Sequence, residues 1–89
     1  MKTIYSPAYR RLTGQLKAAR LKAGLTQEQA GRTIGKGRNW VSLIESSQQR
    51  LDILHFALLC IAYGTSAVEM IRDLEHDVQT ELRDGGKTA

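Results

Sequence analysis

Only one cysteine, Cys60, occurs in the 89 residues, which excludes an internal disulfide and a cysteine-built metal set. It lies in the run Phe56-Ala57-Leu58-Leu59-Cys60-Ile61-Ala62, where a thiol reads as a small core side chain. Long uncharged stretches are also missing. None approaches the ~20 residues that span a bilayer, and the N-terminus has no apolar run of signal-peptide length. A cytoplasmic protein with no membrane partner is therefore expected. No Cys–His or Ser–His–Asp arrangement and no phosphate-cradling glycine motif is present. His55 reads as a solvated first-turn residue and His76 as an exposed position among acids, so no catalytic residue, metal site or cofactor is expected. The chain length accommodates one domain, residues 1–89, with little room for a second that could hold a small-molecule ligand.

Charge is present, but unevenly. Residues 1–50 carry ten Lys/Arg against Glu28 and Glu45, a balance of +8, whereas residues 51–89 carry three basic and seven acidic groups, a balance of −4. A compact chain with that asymmetry presents one positive face, and a polyanion is the usual partner for such a face.

Five helices follow from caps and periodicity, and no strand pattern, repeat or low-complexity segment appears. Ser6-Pro7 opens the first helix with a hydroxyl cap and a proline at the first helical position, and Gly24 ends it. Leu12, Leu16 and Ala19 form its apolar stripe, with Gly14 as an interior weak point. Thr26 with Gln29 makes a capping box for a second helix that reaches Ile34. Gly35-Lys36-Gly37 offers two residues tolerant of positive φ at the turn that follows. A third helix, about Arg38 to Ser46, directs Val41 and Ile44 inward and Arg38, Asn39, Ser42 and Trp40 outward. Asp52 caps a fourth helix, Ile53 to Ala62, apolar almost all round and expected at the centre of the core. Gly64 stops it, and Ser66 with Glu69 opens a fifth, about residues 67–84.

The second and third helices, over about residues 26–46, make the supersecondary unit that places a recognition helix in a major groove. Arg and Asn at the start of that helix suit bidentate bonds to guanine O6/N7 and adenine N6/N7. Lys36, Arg50, Ser46 and the pair Arg10 and Arg11 are candidates for phosphate contacts. Trp40 has two open readings: an indole against the nucleic-acid backbone or a thymine methyl, or a cover for the domain's own apolar surface.

Leu25-Thr26-Gln27-Glu28-Gln29-Ala30, Ile34-Gly35 and Val41-Ser42-Leu43-Ile44-Glu45 resemble the phage repressor and Cro-like, XRE-type helix-turn-helix family. The likeness spans roughly residues 3–72, with Thr3-Ile4-Tyr5-Ser6, Ala23-Gly24-Leu25-Thr26-Gln27 and Arg50-Leu51-Asp52 also similar to small bacterial regulators. The resemblance implies an all-α, five-helix lambda-repressor-like DNA-binding fold with an extended C-terminal helix. It implies that Gln27 contacts a phosphate, that Arg38, Asn39, Ser42 and Leu43 meet base edges, and that Arg20 and Glu45 form a structural pair. Many relatives carry a basic or amide side chain at the position of Leu43, leaving a methyl contact there, and a glycine at the position of Ser47.

Relatives also bind double-stranded DNA as two-fold dimers on palindromic half-sites. Val68, Ile71, Leu74, Val78 and Leu82 recur at intervals of three and four on the fifth helix, which makes Ile71, Leu74, Val78 and Leu82 candidates for a homodimer contact. The open alternative docks Val68, Ile71 and Leu74 on the fourth helix and leaves Val78 and Leu82 at a fraying end. The acids Asp73, Glu75, Asp77, Glu81 and Asp84 would turn this helix away from DNA. The expected function is that of a sequence-specific transcriptional repressor. The rival is an antitoxin-type regulator that also binds a partner protein, against which only Gly85-Gly86-Lys87-Thr88-Ala89 remains as an appendage.

Overall fold

A computed structural model describes residues 6–85. They form α1 (Pro7–Lys22), α2 (Gln27–Thr33), α3 (Arg38–Glu45), α4 (Ile53–Tyr63) and α5 (Ala67–Gly85), with no strand among the described residues. The starts are local chemistry. Ser6 Oγ accepts from the backbone N–H groups of Ala8 and Tyr9, and Thr26 and Gln29 complete their reciprocal capping box. Asp52 accepts from the His55 N–H and Ser66 from the Glu69 N–H.

The ends of α1 to α4 repeat one device. A residue one or two positions past each helix is left-handed and the next N–H reaches back to the last turn, as in Lys36 N–H to Gly31 O at 2.8 Å and Gln48 N–H to Leu43 O at 2.9 Å. Three of these left-handed residues are Gly24, Gly35 and Gly64; the fourth is Ser47, at φ 60°. Gly37, by contrast, caps α3 from ordinary extended backbone at φ −85°, so only one of the two turn glycines uses the freedom expected of both. Gly31 matters for proximity: a Cβ there would lie 2.5 Å from the Lys36 carbonyl oxygen.

The core gathers Leu12 and Leu16 of α1, Ala30 of α2, Phe56, Leu59, Cys60 and Tyr63 of α4, and Met70 of α5. Val41 and Ile44 are buried beside it. Two expectations change here. Helix α4 is not enclosed on all sides: Ile53, Leu54 and Ile61 are 72%, 64% and 77% exposed. Helix α5 turns Met70 and Leu74 to the core and leaves Val68, Ile71, Val78 and Leu82 on the adjoining outer stripe.

Further along α5 the inner face becomes polar and docks on α1. Asp73 accepts from Gln15 at 3.3 Å and Asp77 from Arg11 at 2.8 Å. Glu81 accepts from the Ser6 hydroxyl at 2.7 and 2.9 Å and from the Ala8 N–H. Three of the acids expected to act as a charge repelling DNA are thus partners of α1, and Glu81 supplements the N-cap of that helix. Tyr9 ties α1 to the loop before α4: its hydroxyl donates to Gln49 O at 2.7 Å and accepts from Leu51 N–H at 3.0 Å.

Candidate nucleic-acid interface

Helix α3 is held by the two buried residues of its apolar inner face and by one ion pair. Val41 and Ile44 are each 1% exposed. Glu45, at the end of the helix, meets Arg20 of α1 in a two-pronged pair, Nε to Oε2 at 2.6 Å and Nη2 to Oε1 at 3.1 Å. Arg20 Nη1 also donates to Leu25 O at 2.7 Å, so one guanidinium joins α1, the approach to α2 and α3. The bond to Glu45 raises the Arg20 pKa and keeps the cation charged.

Gln27, at the start of α2, joins this network: its Nε2 donates to Glu45 Oε1 at 3.1 Å. The side chain read from the resemblance as a phosphate contact is therefore oriented from within by the residue that clamps Arg20. With Arg20, Thr26, Glu28 and Arg38 it lines a shallow cleft between the starts of α2 and α3. Arg38 and Asn39 stand exposed on the first turn of α3, with Ser42 half-buried and Leu43 exposed one turn on. The Ser46 hydroxyl donates back to Ser42 O at 2.8 Å.

Lys36 and Trp40 make a second cluster. Trp40, expected to turn outward, is half-buried and packs against the core. The Lys36 Nζ lies 5.5 Å from its ring centroid, and the His55 ring meets it edge-on at 5.2 Å and 61°. His55 is not a solvated residue: Nδ1 donates to Asp52 Oδ2 at 2.7 Å, and its side chain is 25% exposed. The His55 backbone N–H, then its ring, hold the Asp52 carboxyl below its usual range. Sequence reasoning missed His55 as a partner of α3, because nothing in the spacing of Trp40 and His55 connects two different helices. Arg50 is exposed and borders a different depression, an apolar groove between α1, α4 and α5.

No group of three or more His, Cys, Asp or Glu suited to a metal ion occurs among the described residues, and no helix there is long and apolar enough to cross a membrane.

Two short helices at a tight glycine turn, the second with a buried inner face and an exposed Arg-Asn start, define a helix-turn-helix protein of the lambda-repressor-like class. A family model described as a helix-turn-helix domain matches residues 11–72. Among solved structures, an XRE-family like protein from Pseudomonas syringae pv. tomato str. DC3000 is similar at 33% identity and a TM-score of 0.74, covering 84% of this chain and 92% of that one. No curated protein matches. The chain belongs to the XRE-type family of helix-turn-helix regulators. It is a DNA-binding transcription regulator, in a family that is typically non-enzymatic.

Proposed function

We propose that this protein is a sequence-specific repressor that binds a palindromic operator as a homodimer. The observation that carries the reading is the exposed Arg38-Asn39 start of α3 on a helix anchored by the Arg20–Glu45 pair. Arg38 and Asn39 read base edges by bidentate bonds, and Ser42 and Leu43 meet the next positions, Leu43 through a thymine methyl. Gln27, Lys36, Ser46 and Arg50 contact phosphates, which set register and supply salt-dependent affinity. A dimer covering an operator that overlaps a promoter excludes polymerase, and repression follows.

The second copy seats on the outer stripe of α5. Ile71 and Val78 line an apolar groove of about 450 Å³ together with Tyr9, Leu12, Ile53 and Phe56, and Leu82 is exposed further along the same helix. Leu74, also a candidate for this contact, is half-buried against the core and lines the same groove. A second reading, a regulator that also holds a partner protein, is favoured by Leu54 and Ile61, exposed on α4.

Selection from a random-sequence duplex pool, repeated with Arg38→Ala and Asn39→Ala, tests the reading. The expected result is an enriched inverted repeat whose preference relaxes at matching half-site positions in each variant, by about 1–3 kcal/mol per lost bidentate pair. Salt-sensitive binding without enrichment would overturn sequence-specific readout.

A further inference from the structure

We propose that His55, on α4, is a positioning residue for DNA binding: it braces the Trp40 indole on which the Lys36 ammonium rests. The inference depends on the proposed phosphate contact of Lys36, and it assigns to Trp40 the role of support. Four side chains stand in series. Asp52 fixes His55 by two bonds, one to the backbone N–H at 2.8 Å and one to Nδ1 at 2.7 Å. The imidazole meets the indole edge-on at 5.2 Å, and the Lys36 Nζ stands 5.5 Å from the centroid of the same ring.

A carboxylate only accepts, so Nδ1 is the protonated nitrogen, and the ring plane of His55 is set by Asp52. An edge-on contact then restrains the indole, which otherwise belongs to a short helix with an exposed polar start. Lysine is a point charge on four rotatable methylenes; unaided, its ammonium samples many positions. Attraction to the indole face confines it, on the turn immediately before Arg38, and a confined ammonium loses less entropy on meeting a phosphate. None of the four residues need exceed its ordinary chemistry: the effect lies in their order, from α4 through α3 to the turn.

A double-mutant cycle tests this on a mixed-sequence duplex, following affinity as a function of salt. Lys36→Ala lowers the salt slope by about one. His55→Ala, alone, is expected to reproduce a large part of that loss, and in the Lys36→Ala background to add nothing further. His55→Phe, which keeps a ring edge against Trp40, restores binding. Cooperative thermal melting of each variant separates positioning from loss of fold, and emission from Trp40, the chain's one tryptophan, reports the contact directly: His55→Ala shifts it and His55→Phe returns it towards the wild-type spectrum. Additive effects of His55→Ala and Lys36→Ala, or an unchanged affinity in His55→Ala beside a weakened Lys36→Ala, would overturn the inference and leave the DNA reading intact. If Lys36→Ala leaves the salt slope unchanged, the phosphate assignment fails and this inference falls with it.

Discussion

Arg20 and Glu45 lie 25 positions apart and meet through two hydrogen bonds, with side chains only 7% and 6% exposed. The pair secures the recognition-helix end against α1 and orients Gln27 through the same carboxylate. Breaking one side leaves a buried charge. Arg20→Ala or Glu45→Ala is expected to lower stability by about 3–5 kcal/mol, measured by urea denaturation. Replacing both by apolar residues of similar volume costs less than the two single losses combined, because no unpaired charge remains.

Gly31 faces the turn so closely that a methyl group would meet the Lys36 carbonyl oxygen, in the same residue whose N–H already bonds the Gly31 carbonyl where the chain changes direction. Gly31→Ala is expected to destabilise by about 1–3 kcal/mol through forced backbone movement. Gly14→Ala, where no atom lies near a Cβ, is expected to stabilise by about 1 kcal/mol through helix propensity. Thermal melting of the two variants gives shifts of opposite sign.

Ser47 is left-handed where each of the other three helix ends with this device has glycine. It also shares a 2.7 Å hydrogen bond with Thr13, and both side chains are buried. Ser47→Ala loses the bond and keeps the backbone strain, whereas Ser47→Gly loses the bond and relieves a strain of about 1–2 kcal/mol. The glycine variant is therefore expected to be the more stable of the two by about that amount in denaturant unfolding.

Burial pushes the Tyr63 phenol up to about 12, the Glu45 charge adds to the rise, and Arg20 opposes it. The folded protein favours the neutral phenol, so this contribution is complete below the ordinary value of 10 and is lost as pH rises from 10 through 12. Burial also raises the Cys60 thiol from its ordinary value of 9.0, extending the loss towards lower pH, and raises the Tyr9 phenol, adding to the loss above 10. Stability measured by urea midpoints should fall across this alkaline range, and Tyr63→Phe should flatten the fall between pH 10 and 12.

The outer stripe of α5 separates association from folding. Leu82 is 71% exposed, so Leu82→Glu removes little from the core of one copy while placing a charge in an apolar contact between two. Sedimentation is expected to show a shift from dimer towards monomer, with an unchanged helical circular-dichroism spectrum. A wild-type monomer at all accessible concentrations would remove the homodimer from the proposed function.

Much of the helical framework was legible because helix starts are written within four residues. Ser6-Pro7, Thr26 with Gln29, Asp52 and Ser66 each satisfy backbone N–H groups one turn away, and those bonds depend on no distant part of the chain. The same holds for Val41 and Ile44, whose spacing alone puts them on one face. The Arg20–Glu45 pair was legible only by resemblance, since two charges on separate helices have no local signature.

Amino-acid order by itself determined where the helices begin, which turn joins α2 to α3, and that Arg38 and Asn39 open an outward helix face. Tertiary structure decided what those helices do to one another. Two positions apart on a helix, Met70 and Val68 must face opposite ways, and it was the tertiary structure that turned Met70 inward and Val68 outward. It brought Glu81 to the cap of α1 from 75 residues away and set Trp40 against His55. The physical reason is range: caps and periodicity act over one turn of chain, whereas a packed face is selected by whichever neighbours the completed fold supplies.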